Sequence, residues 1–194
     1  MKAINYPDFN SSIGYSTLLY GETDTKKTFY TAKFVQYLLD SNFNPQEISI
    51  LDFAPKLTFL KDLKVGGRIQ DYYNESIICK NFIIEEEIIP PRLKARNKSE
   101  LYNNLCRNYE ITSTALKNFN QNPTSILIIN DISIYLHLGS KYYILQTLSQ
   151  VDTFFGNSYY GTSIKSKFST LLSTNEKKKV DYLVKNIEHS YFTG

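Results

Sequence analysis

A chain of 194 residues and 22.5 kDa is long enough for one domain with a sizeable core, and its 42% hydrophobic and 21% charged residues are a globular composition. No apolar run reaches the roughly 18 residues of a membrane span, and the opening MKAINYPDFN lacks a signal-peptide core, so a single cytoplasmic domain over residues 1–194 is expected. A formal charge of +3 is too small to argue for nucleic acid, although it permits such contact. Cys79 and Cys106 have neither metal-ligand spacing nor the density of a disulfide scaffold, which predicts reduced thiols and no zinc. His137 and His189 stand alone and read as packing or surface residues.

In chain order, Tyr15 to Tyr20 is a short run suited to a strand, and Lys27 to Asp40 places Phe29, Ala32, Val35, Leu38 and Leu39 at helical spacing. Ile48 to Phe53 (ISILDF) predicts a second strand carrying Asp52 near its end. The irregular stretch that follows, through Gly66, Gly67 and Arg68 to Ser76, reads either as a lid over a site or as a surface insertion with a short helix at Leu57 to Leu63. A further strand is expected at Ile77 to Ile84, interrupted by Pro90 and Pro91, then a long helix from Ser99 to Asn120. Arg92, Lys94, Arg96 and Lys98 read as a solvated basic run.

Ser125 to Asp131 (SILIIND) has no gap for a polar face, the mark of a central strand covered on both sides. Lys141 to Phe155 predicts a helix, and Gly156 to Gly161 (GNSYYG) a turn presenting Tyr159 and Tyr160. Lys167 to Leu172 predicts a last strand, and the Ser173 and Glu176 spacing of a capping box opens a basic helix through His189. Strands alternating with helices predict an α/β fold: three layers, a mainly parallel central sheet and helices on both faces.

The segment from Gly21 to Thr28 (GETDTKKT) matches the phosphate-loop pattern GxxxxGK[ST] except at its second glycine, which is Lys26. A strand before it and a helix after it are the context the pattern needs. Backbone amides of Glu22, Thr23, Asp24, Thr25 and Lys26, together with the helix start, would surround phosphates; Lys27 would bring charge to them and the Thr28 hydroxyl would meet Mg²⁺. Lys26 loses the freedom and space of glycine but offers a second cation.

The loop, the ILD strand and the LIIND strand together resemble the P-loop NTPases, and the RecA-like branch found in archaeal ATPases is favoured. That resemblance implies a three-layer fold binding ATP or GTP with Mg²⁺, with Gly21, Lys27 and Thr28 carried over. LIIND resembles the Walker B strand. Asn130 occupies the usual aspartate position, so Asp131 is expected either at the metal with Thr28 or as the second acid that orients water. The implied function is a Mg²⁺-dependent ATP- or GTP-binding protein, a slow ATPase whose nucleotide state controls a protein partner or a homo-oligomer.

Two alternatives stay open. Gly21, Thr23, Asp24, Lys27 and Thr28 are also similar to the GxTDxGK[ST] loop of polynucleotide 5′-hydroxyl kinases, in which case Asp52 would be a catalytic base, with Arg68, Arg92 or Arg96 holding substrate. A nonenzymatic interaction protein with a degenerate loop is the other. Whether Asp52 or Asp131 serves the metal depends on strand order: in the kinase and GTPase branch the acid lies on the strand beside the loop strand, whereas in the RecA-like branch another strand intervenes.

Overall fold

The computed structural model describes residues 6–60, 63–82, 87–164 and 170–194. Its frame is an α/β sheet of six parallel strands with helices on both faces, as the alternation of elements predicts. The strands are β1 (Ser16–Gly21), β2 (Ile48–Asp52), β5 (Lys80–Asn81), β6 (Ile126–Asn130), β7 (Thr153–Tyr159) and β8 (His189–Phe192), in the order β5-β2-β6-β7-β1-β8. A small antiparallel hairpin, β3 (Thr58–Leu60) and β4 (Leu63–Val65), stands outside it.

Successive side chains of a strand point to opposite faces, so one apolar strand feeds two cores. Ile126 and Ile128 pack with Leu19 and Phe155 under α1 (Lys27–Asp40) and α2 (Ile69–Tyr72). Leu127 and Ile129 pack with Leu18 and Phe154 on the other face, under α4 (Lys98–Gln121), α5 (Ile132–Leu136), α6 (Lys141–Leu148) and α7 (Thr170–Asn186). A short helix, α3 (Pro91–Lys94), leads into α4. The Phe34 and Phe155 rings stack with centroids 4.3 Å apart, fixing α1 over the middle of the sheet.

The central ladder aligns the chemistry. Asp52 lies beside Asn130, Ile129 beside Gly156 and Gly21 beside Tyr159, so β2, β6, β7 and β1 end at one edge. Such an edge, with helices starting from it, is where open α/β sheets bind ligands.

Several sequence expectations are corrected. The helix drawn from Lys141 stops at Leu148, and Thr153 to Tyr159 is a fully buried strand, so the turn expected at Gly156 lies inside a strand. Glycine fits there because a Cβ would come within 2.8 Å of the Ile129 carbonyl oxygen on the neighbouring strand. In place of the short helix expected at Leu57 to Leu63, Thr58–Leu60 and Leu63–Val65 are paired strands; residues 61–62 lie outside the described residues. Of the strand expected at Ile77 to Ile84, only Lys80 and Asn81 pair, after a 3-10 turn over Asn74–Ile78; residues 83–86 lie outside the described residues. Of the strand expected at Lys167 to Leu172, residues 165–169 lie outside the described residues and Thr170 already begins α7.

Ser173 and Glu176 therefore sit within α7 rather than at its start. Glu176 is instead buried in an ion pair with Arg92, which the basic run had suggested was solvated, and His137 Nε2 lies 3.4 Å from the same carboxylate. Cys79 is buried and Cys106 half-buried, each a free thiol. Among the described residues no helix is long and apolar enough to cross a membrane.

Removing one member of a buried pair leaves the other charge desolvated, which costs about 3–5 kcal/mol, whereas replacing both with apolar groups can be close to neutral. Arg92→Met should therefore lower unfolding stability by that order, and Arg92→Met with Glu176→Leu should recover most of it; denaturant titration of the three proteins checks the cycle.

Candidate functional site

The cleft at the sheet's carboxyl edge has a volume of about 340 Å³. The loop from Thr23 to Phe29 forms one wall, Lys64 to Gly66 of the hairpin and Tyr72 another, and Asp131, Asn157 and Tyr159 close the far side. The stretch after β2 thus does cover the loop, tied down where Thr23 Oγ1 donates to the Lys64 carbonyl at 2.9 Å.

The loop turns by means of left-handed residues, Asp24 at φ 57° and Lys26 at φ 61°. Lys26 is the residue just before α1, and no side chain caps that helix. The amides of Lys27, Thr28 and Phe29 are thus the helix's own unpaired first-turn donors. Gly21 is required by crowding: a Cβ there would lie 2.5 Å from Thr193 Oγ1 and 2.8 Å from the Gly194 carbonyl oxygen.

Lys27 is only 8% exposed, and its ammonium donates to the Glu22 carbonyl and, at 3.1 Å, to Thr25 Oγ1. Burial pushes this amine down to about 8, against the pull of the Asp131, Glu22 and Asp24 carboxylates. Lys26 is exposed and borders the same cleft. Glu22 faces away from it: its carboxylate accepts from the Thr162 amide at 2.5 Å, the Ser163 amide at 3.2 Å and the Ser163 hydroxyl. Burial raises the Glu22 carboxyl, but those bonds outweigh it and leave it below its usual range.

Behind the loop lies a buried network centred on Asn130, which has no exposed surface. Its Oδ1 accepts from Thr28 Oγ1 at 3.2 Å and from Asn157 Nδ2 at 2.7 Å, while its Nδ2 donates to Asp52 Oδ1 at 2.7 Å and the Gly67 carbonyl at 3.1 Å. All four hydrogen-bonding positions of the amide are used. The amide's orientation is forced, because the Gly67 carbonyl can only accept. Asn157 also donates to Thr31 Oγ1 and accepts from the Asp131 amide.

Asp52 is oriented by three donors: its Oδ1 also accepts from the Ala54 amide, and its Oδ2 from the Ile69 amide at 2.7 Å. It lies on a neighbouring cavity of about 140 Å³ rather than on the main cleft. Burial pushes its carboxyl up to about 6, although those bonds and Arg68 oppose the rise. Asp131 does border the main cleft. It starts α5 in a left-handed conformation and accepts from Ser133 Oγ at 2.5 Å; burial raises its carboxyl, the Ser133 bond lowers it and Glu176 raises it further.

The structure therefore brings Glu22, Thr23, Asp24, Thr25, Lys26, Lys27 and Thr28 together with Asp131 and sets Asp52 one strand behind. Of the arginines considered for substrate, Arg92 is buried against Glu176 and beneath Tyr159, and Arg96 is exposed beyond α3. Sequence reading missed Asn157, which it placed in a turn. Its signal was a seven-residue run rich in aromatic residues and bounded by Asp152 and Tyr160, which suits a buried strand better than a helix end. Neither a protein-family model nor a curated protein matches the chain.

These residues fit a polyphosphate better than a resident magnesium ion. Magnesium favours one or two carboxylates alongside phosphate oxygens. Beside Thr28 the structure offers a neutral amide; Asp52 accepts from nitrogen donors on both oxygens, and Asp131 accepts from the Ser133 hydroxyl on one.

A non-glycine residue in the left-handed region costs about 1–2 kcal/mol, partly offset by the greater chain entropy that glycine loses on folding. Lys26→Gly should therefore stabilise the ligand-free fold by about 0.5–1 kcal/mol, seen as a higher denaturation midpoint with an unchanged m-value.

Proposed function

We propose that the cleft binds the triphosphate of ATP or GTP, and that its occupancy acts as a signal to a protein partner more than as the first step of rapid turnover. The observation that carries this reading is Lys27: a buried ammonium at the open start of α1, bonded only to oxygens of its own loop, lining a cleft of suitable size. A phosphate entering there can take over the ammonium and the first-turn amides together, and the helix dipole favours it. The strand order adds support, since β7 separates β1 from β6, the arrangement expected of the RecA-like branch.

Slow chemistry is supported by the acids. Hydrolysis needs an oriented water as well as charge neutralisation. Asp131 lines the cleft, but one of its oxygens is held by the Ser133 hydroxyl and burial raises its carboxyl, which weakens it as an ionised, water-orienting group. A route to a partner is supported by Glu22, whose carboxylate links the loop to Thr162 and Ser163 and whose amide donates to the Gly194 carbonyl. A phosphate that reshapes the loop must disturb both contacts. Asp52 as a kinase base is less well supported, because its oxygens face amide donors outside the cleft.

Calorimetric titration of ATP and GTP tests the reading. Charge-assisted hydrogen bonds are worth about 1.5–3 kcal/mol, so Lys27→Ala should weaken binding about ten- to hundredfold; equal affinity in wild type and variant would sink the proposal. Nucleotide affinity should also fall as pH rises past about 8, because the ligand needs the ammonium while the free site releases its proton there. Affinity measured from pH 7 to 9.5 in wild type and Lys27→Ala follows this proton: the fall should be present in wild type and absent in the variant, and a flat wild-type profile counts against the role of Lys27.

A further inference from the structure

Resting on the nucleotide-binding reading, we infer that Lys26 and Lys27 together take the place of a metal ion, so that the cleft binds the triphosphate without needing magnesium. Three observations converge. First, the position beside the Thr28 hydroxyl where a carboxylate would steady a metal's water shell is held by Asn130, whose amide is fully engaged and cannot rotate without breaking bonds to Asp52 and Gly67.

Second, an aspartate at 130 would be opposed by its surroundings. Its oxygen would meet Asp52 Oδ1 where 2.7 Å now separates donor and acceptor, and the Gly67 carbonyl on the same side. The carboxylate of this pair stands on β2, where it points at backbone amides. Third, the residue that breaks the loop pattern is itself a cation. Lys26 is held in the left-handed conformation that normally selects glycine, and its exposed side chain borders the cleft beside Lys27. Two ammonium groups plus a helix start can neutralise oxygens that a divalent cation usually bridges, and a lysine does this as a mobile point charge.

The nearby carboxylates of Asp131, Glu22 and Asp24 pull on the Lys27 charge without taking its hydrogen bonds, which go to the Glu22 carbonyl and Thr25 Oγ1. Glu22 is turned toward Thr162 and Ser163, and Asp131 toward Ser133, leaving Asp24 on the rim.

The test is titration of ATP into the full chain, once with magnesium and once with EDTA. Wild type should bind in EDTA at least as tightly as with magnesium. Lys26→Gly keeps the fold and restores the loop's glycine; it should lose about tenfold or more in EDTA and markedly less with magnesium. Wild-type binding that appears only with magnesium, or a Lys26→Gly protein that binds unchanged in EDTA, overturns the inference while leaving the nucleotide reading intact. Absence of ATP and GTP binding under both conditions overturns both.

Discussion

The amide of Asn130 is the constraint from which the site is built. A buried side-chain amide left unpaired costs about 1–3 kcal/mol for each lost partner, so its four bonds hold as a set or fail as a set. Through them β6 is joined to α1 at Thr28, to β7 at Asn157, to β2 at Asp52 and to the turn at Gly67. Asn157 extends the set to Thr31 and to the backbone of Asp131. The carboxyl edge of the sheet is therefore locked from behind, and the loop in front of it sits on a surface that cannot shift piecemeal.

A second buried group stabilises the opposite wall. Arg92 from α3, Glu176 from α7 and His137 just beyond α5 meet under Tyr159, the last residue of β7. Ion pairs of this kind add little net stability but penalise alternative arrangements that would separate the charges. Here they bind two elements far apart in sequence to the strand that carries Asn157. Because Tyr159 and Asp131 each border both regions, the position of the cleft's far wall depends on a pair that no local pattern announces.

What the sequence showed clearly was whatever is written in a short window. The strand, loop and helix from Tyr15 to Asp40, the doubly apolar LIIND and the long helix after Pro91 all carry their own periodicity, and each appears within a residue or two of its expected place. β7 was lost because TFFGNSY follows a helix without a strong break and contains a glycine, which suggested a turn; only the backbone of β6 beside it explains that glycine. Glu176 was mistaken for a cap because Ser and Glu three residues apart look the same whether the carboxylate folds back on the helix or reaches an arginine from another element. The acids at 52 and 131 were visible, but their directions were not, since a carboxylate's orientation is set by donors such as Ile69 N and Ser133 Oγ that come from folded neighbours.

The same distinction bears on Lys26. Judged alone, a lysine in place of the loop's second glycine looks like damage: it carries a backbone cost and a bulky side chain where phosphate oxygens pass. Set beside Asn130, it becomes the other half of a change in charge. A site that exchanges a carboxylate for an amide loses an anion that would balance a metal, and one that exchanges a glycine for a lysine gains a cation that can replace it. On the proposed reading, the two lysines and the helix start would supply to a triphosphate the positive charge that a divalent ion otherwise brings. The backbone cost at position 26 falls on a single residue, just before a helix that Thr28 and Thr31 tie to the buried amides of Asn130 and Asn157.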